Sequence, residues 1–476
     1  MRGKWDVIVV GGGSAGLPLA IFAAQRGARV LLLDHAAELG GTLWVASGQM
    51  SAAGTRLQRR KGIADSAEEH FADVMRISRG SADPVLVRLA VENAADTFDW
   101  LEDMGFSALP DHPVAGNAHE AYLKDRYYWG EKGGISVKDT LVPLVMAQVA
   151  AGRIDLRLQH EVTTLLQGAD GAVTGVVARD AEGNVHALHG RYTALTCGGY
   201  AANPELFEQL NGYPQYTAQP YPYARGAGIG LGLSVGGYLR GAQNVYNNFG
   251  SLLNSDTFPC ALAGRVLTYP EMRQPWEIYV NTRGQRFVRE DMPSVDAREM
   301  ALSLQPLRRY WIVFDQHILD TAPPILLNWS REQLKQAFAE GGPAFLTGDS
   351  LEELAAAAGI DTAGLADSVA GYNYGVQTGS DFLGRQHLPC AIGDGPYYAL
   401  RMQGSATSSA VGLAVNERLQ VIRRDGQPVP NLYAAGELLG AGQTMGKAAC
   451  GGMMVTPALT FGRLLGSRLI PLSLWS

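Results

Sequence analysis

Residues 6–10 read Asp-Val-Ile-Val-Val, a short apolar run that stops at a cluster of glycines. Such a run suits a parallel strand buried on both faces. The next segment, Leu17 to Arg26, is rich in Ala and Leu and predicts a helix, which Gly27 ends. Ala28 to Leu33 predicts a second buried strand, closed by Asp34. Farther on, residues 64–105 are polar and amphipathic and predict helices. Residues 153–195 alternate like strands around the turn signal Asp170-Gly171. Residues 331–369 return to a helical pattern, in which Asp349-Ser350 ahead of Glu352-Glu353 marks a helix start. There is no internal repeat and no low-complexity linker. The pattern as a whole predicts an α/β protein.

Composition narrows the function classes. The 476 residues carry a formal net charge of −7, which disfavours a general nucleic-acid binder. The four cysteines, Cys197, Cys260, Cys390 and Cys450, are scattered and make neither a disulfide framework nor a CxxC metal site, so no metal is expected. There are 58 glycines, well above the usual ~7%, as expected where backbone closely approaches a ligand. No apolar stretch reaches the ~18 residues of a membrane span. The N-terminal segment reads directly as a strand rather than a signal peptide, so the expected compartment is the cytoplasm.

The most specific local signal is Gly11-Gly12-Gly13-Ser14-Ala15-Gly16, a GxGxxG set between a strand and a helix, with Asp34 ending the following strand. That order is what a dinucleotide-binding fold requires. The first glycine permits the turn, the second lets a pyrophosphate approach the backbone, and the helix N-terminus faces its negative charge. An acid at the second strand end would hold a ribose. Small residues follow at Gly40-Gly41-Thr42 and at Ser47-Gly48, as a flavin ring lying close to backbone needs. Near the other end, Leu432 to Glu437 reads as a buried strand ending in Gly436 and Glu437, placed to meet a ribityl chain.

With Thr196-Cys197-Gly198-Gly199-Tyr200, Gly226-Ala227-Gly228-Ile229-Gly230 and the stretch from Tyr279 to Glu290, these motifs form an ordered set spanning nearly the whole chain. That set resembles the fumarate reductase / 3-ketosteroid dehydrogenase superfamily of flavoproteins. The resemblance implies a Rossmann-like FAD-binding domain built from both chain ends, residues 1–240 and 396–476. A capping and catalytic α+β domain, residues 241–395, would be inserted between them. It implies FAD contacts at Gly11, Gly13, Ser14, Ala15, Gly16, Asp34, Gly40, Gly41, Thr42, Ser47, Gly48, Val162 near the adenine, Gly198, Gly228, Gly436, Glu437 and Met453. Covalent relatives attach flavin through a histidine in the segment matched by Thr42 to Ala46, which has none, so the expected FAD is non-covalent.

Departures from the family shape the expected chemistry. Ser294 stands where fumarate reductases carry a proton-donating arginine, Ala449 where they carry a substrate arginine, and Thr407-Ser408-Ser409 where they carry a histidine pair. A dicarboxylate buried without those cations would be unpaired charge. The ending Thr456 to Gly462 and the segment Pro293 to Ala297 are closer to the ketosteroid dehydrogenase branch, and Gly452 matches its ketone-polarising glycine. Its two tyrosines, however, are matched by Ser294 and Ala448. The resulting expectation is α,β-dehydrogenation of a cyclic ketone, with reduction of an unsaturated ketone or carboxylate, or a purely electron-transferring flavoprotein, as alternatives. Tyr128, Ser294, Arg298 and Gly452 are the expected catalytic residues, and Tyr127, Trp129, Ser409 and Gly451 the expected substrate wall. With no CxxCH haem motif, electrons are expected to pass to a separate acceptor such as a quinone or dioxygen.

Overall fold

The computed structural model describes residues 5–116, 119–267 and 272–470. Trp5–Val10 lies at the middle of an eight-stranded sheet, parallel to Val30–Leu33 on one side and to Val185–Leu195 on the other. Val7, Ile8 and Val9 are fully buried, which is why this run has no polar alternation. Ile154–Arg157 extends the sheet beyond Val30–Leu33. On the far side Pro428–Ala434 pairs in parallel with Val185–Leu195, so strands from both ends of the chain share one sheet. Helix Gly16–Gln25 packs against helix Val455–Arg468, and Gly462 permits the approach: a Cβ there would sit 2.1 Å from the Ala15 carbonyl oxygen. The α/β reading therefore holds. The helix after the glycine motif starts at Gly16 and the second strand at Val30.

A second sheet of six antiparallel strands has its own apolar core, with Tyr310, Ile312, Val313, Leu354 and Leu400 among its buried members. Its long strands are Arg309–Asp315 and Tyr397–Gln403, paired over their full lengths. The latter strand lies beyond residue 395, where the sequence suggested the insertion ends. Its sequence, Tyr-Tyr-Ala-Leu-Arg-Met-Gln, is as compatible with one sheet as with the other, and only the pairing assigns it. Helix Val295–Ser303 lies against the segments of Glu120 and Ala449, whose amides donate to its Asp296. Among the described residues no helix is long and apolar enough to cross a membrane.

Candidate active site

A cavity of about 900 Å³ runs from the C-terminal ends of the parallel strands toward helix Val295–Ser303. It stands at the upper end of the usual range for ligand pockets, large enough for a dinucleotide with a substrate beside it. Its first stretch is walled by Gly11, Gly13, Ser14 and Ala15, the turn that opens helix Gly16–Gln25. Among the described residues the amides of Gly13 and Ser14 have no protein acceptor. Open N–H groups at a helix N-terminus are what a pyrophosphate needs. Gly16 does not face the cavity: a Cβ there would sit 1.9 Å from the Gly11 carbonyl oxygen, so its role is to let the helix pack onto its own turn.

Asp34 closes the cavity at the strand end. Its carboxylate accepts from the Gly12 amide at 2.6 Å and the Ala36 amide at 2.8 Å, while burial raises its pKa. Val162, with His160 and Glu161, lines the same end. Gly41, Thr42, Ser47, Gly198, Gly436 and Glu437 also line the cavity. The Glu437 carboxyl is raised in pKa by burial and accepts from the Ser409 amide at 2.9 Å. These groups fit FAD along its length, from ribose through pyrophosphate to ribityl chain. Gly40, Gly48, Gly228 and Met453, expected at the flavin, stand behind this wall. A Cβ on Gly48 would meet the Gly133 backbone at 2.4 Å, and one on Gly228 the Cys197 sulfur at 2.6 Å. Replacing Asp34 by Ala should weaken flavin retention by at least about tenfold, since hydrogen bonds to a charged group contribute roughly 1.5–3 kcal/mol. The ratio of 450 to 280 nm absorbance after desalting checks this.

The expected catalytic residues divide sharply. Gly452, Gly451 and Tyr127 line the far end of the cavity. Neither Gly451 nor Gly452 has a protein acceptor for its N–H among the described residues, and Tyr122 donates to the Gly451 carbonyl, fixing that peptide. Tyr128 must be corrected. In the short strand Tyr127–Tyr128 adjacent side chains point to opposite faces, and the Tyr128 hydroxyl turns away to Thr55 Oγ1 at 2.8 Å and the Ala52 carbonyl at 3.2 Å. Ser294 caps helix Val295–Ser303, accepting from the Ala297 amide at 3.1 Å. Trp129 packs edge-on against His112 and Tyr127, outside the cavity wall. The Ser409 hydroxyl accepts from the Tyr200 amide at 2.7 Å and so serves the scaffold. Arg298 is buried with its guanidinium 5.4 Å from the Phe249 ring centre, also outside the wall.

What the sequence did not reveal is His119, which lines the substrate end of the cavity. Its Nδ1 lies 3.3 Å from Asp296 and 3.7 Å from Glu299, both buried on helix Val295–Ser303. Burial opposes its charge, but the two carboxylates win and raise its pKa to about 9. Glu299 is pushed up to about 8, by burial first. Asp296 is held below its ordinary range: burial pushes it up, but His119 and the amides of Glu120 and Ala449 outweigh that. The imidazole meets these acids at ion-pair distance, so it supplies the positive charge that a metal ion would otherwise bring. Tyr246, Thr407 and Ser408 complete this end, with the Tyr246 and Ser408 hydroxyls 2.8 Å apart.

Comparison with known proteins places this geometry. Residues 6–454 match the family described as FAD binding domain. The chain is 29% identical over 467 residues to a fumarate reductase (cytochrome) of Shewanella frigidimarina, covering 97% of this chain and 76% of that protein. It is 25% identical over 544 residues to the 4-oxocyclohexanecarboxylate 2-dehydrogenase of Sinomonas cyclohexanicum, covering 98% and 92%. Its fold matches the 3-ketosteroid delta1-dehydrogenase of Sterolibacterium denitrificans with a TM-score of 0.74 at 21% identity, covering 98% of this chain and 99% of that one.

Proposed function

Because this chain belongs to the FAD binding domain family and is an FAD-dependent oxidoreductase acting on C=C bonds, we propose that its substrate is a neutral carbonyl compound, a cyclic ketone, dehydrogenated between its α and β carbons. The observation that supports this is the chemistry of the substrate end. Tyr127, Tyr246, Thr407, Ser408 and the backbone of Ala449 to Gly452 present hydroxyls, amides and apolar surface. The one arginine in the cavity wall among the described residues, Arg265, is exposed and donates to Gln219. Gln219 shortly precedes Tyr221 and Tyr223 in the chain, and Tyr223 packs on His35, next to Asp34. The His119 cation at the substrate end is already paired with Asp296, so such a surface binds a ketone and leaves a dicarboxylate underpaired.

In this reading the amides of Gly451 and Gly452 polarise the ketone oxygen, acting as donors where charge develops as the α carbon loses its proton. Tyr122 keeps that peptide oriented through the Gly451 carbonyl. FAD held along Asp34 and the Gly11–Ala15 turn would supply the two-electron chemistry at the β carbon. It is held by hydrogen bonds and packing, without a covalent link. The oxidised site is restored by a separate electron acceptor.

Anaerobic flavin bleaching tests the reading. Saturated ketones, from cyclohexanone to 3-ketosteroids, should bleach the oxidised protein, and the corresponding enones should reoxidise the chemically reduced one. Succinate, tricarballylate and fumarate should do neither. Reaction with the carboxylates alone would overturn it.

A further inference from the structure

We propose that His119 is the proton-transfer residue of this site, seated and balanced in charge by Asp296 with Glu299 beside it; this rests on the neutral-carbonyl reading above. Its Nδ1 faces the two acids, which leaves Nε2 as the ring nitrogen on the cavity side. A carboxylate behind an imidazole fixes its tautomer and stabilises its charged form, as in catalytic triads.

The other candidates in the wall are ruled out by their surroundings. Burial pushes the Tyr127 phenol far up, and the Tyr246 phenol up to about 12. Cys450 is raised by burial, with its sulfur directed to the carbonyls of Val74 and Met445. His160 and Glu161 belong to the opposite end, beside Val162. The charges facing His119 come from every side of its pocket. Helix Val295–Ser303 brings Asp296, Glu299 and Arg298, the last lowering Glu299 in pKa. Glu120 and Ala449 contribute amides to Asp296, and Cys450 and Tyr246 stand beyond.

The step balances as follows. In dehydrogenation the α C–H bond breaks and its proton goes to Nε2. The electron pair of that bond forms the C=C bond as the β hydrogen leaves with its own pair to the FAD. The imidazolium then returns its proton to solvent, for which its one-third exposed side chain gives a path. Reduction runs these events backwards, with imidazolium as the acid. A histidine whose pKa is raised is protonated below that pKa and free above it. Reduction should therefore be fast below a pH of about 9 and fall above it, whereas dehydrogenation should rise through the same pH.

The test uses the FAD-loaded protein with His119→Gln, Asp296→Asn and Glu299→Gln. The first readout is reoxidation of reduced enzyme by 2-cyclohexen-1-one, or by fumarate should only carboxylates react with the parent. His119→Gln should slow it about 10²–10⁴-fold, with unchanged flavin content and melting temperature. The second needs no substrate: with ¹⁵N-labelled histidine, one resonance lost in His119→Gln should titrate near pH 9 in the parent and move down toward the ordinary ~6.5 in Asp296→Asn. Glu299→Gln should shift it in the same direction. A His119→Gln rate within threefold of the parent, with the pH limb intact, overturns the proposal. If that limb survives while only carboxylates react, the neutral-carbonyl reading fails as well. If the limb vanishes and only carboxylates react, that reading alone fails.

Discussion

Gly452→Val should reduce turnover at least about 10²-fold, the loss expected when a preorganised donor leaves the developing oxyanion. Gly452 has φ +79°, a region that a β-branched residue enters only with strain. A Cβ there would stand 2.3 Å from the Ser51 amide nitrogen and 2.4 Å from the Met50 carbonyl carbon. The side chain has no room, so the Gly451–Gly452 segment must move and carry its free amides with it. The residues proposed to hold ribose and pyrophosphate, Asp34 and the Gly11–Ala15 turn, line the other end of the cavity, so flavin should remain bound. Gly452→Ala should show the same loss in milder form. Flavin content, melting temperature and reoxidation rate measured together separate a lost donor from a lost fold, and a rate within threefold of the parent would contradict the assignment.

The largest stability effect is expected at Arg286. Its guanidinium pairs with Glu290 at 2.8 and 2.7 Å and with Asp381, and all three side chains are fully buried. Arg385 joins through Glu290 at 3.5 Å and donates to the Glu277 carbonyl, while Glu277 pairs with Arg273. Replacing Arg286 by Met keeps volume but strips Asp381 of its cation and leaves Glu290 only the longer contact with Arg385 in the core of the second unit. Breaking a buried pair in this way costs about 3–5 kcal/mol. For a unit of roughly 150–250 residues that corresponds to a melt lower by about 6 °C or more. A thermal melt followed by near-ultraviolet circular dichroism reads it, and a shift under about 1 °C would show that the network contributes little.

How much the sequence revealed depended on how local each feature was. The run from Asp6 to Asp34 was legible because the strand, the turn, the helix start and the acid that closes the cavity all lie within one βαβ unit. The same holds for Gly436 and Glu437, where a buried strand ends in a glycine. Tyr127 and Tyr128 show the limit. The sequence marked an aromatic pair, but a two-residue strand has no internal pattern to say which ring faces the cavity. Ser294 carried a readable helix-start signal that competed with the positional match to a catalytic tyrosine, and the cap is what the structure shows. His119 lay beyond reach. It meets Asp296 and Glu299 because the chain at Glu120 folds back onto helix Val295–Ser303 and gives its amide to Asp296, and no spacing along the chain encodes that meeting.

Asp296 has a mechanical consequence as well. One carboxylate receives the amide of Glu120 and that of Ala449 while it faces His119. It thus bolts three distant stretches of chain together across the seam between the two sheets. Parting helix Val295–Ser303 from the segment of His119 and Glu120 would break the Glu120 amide bond and remove the imidazole's partner together. The seating of that helix and the charge of the imidazole thus hang on one carboxylate.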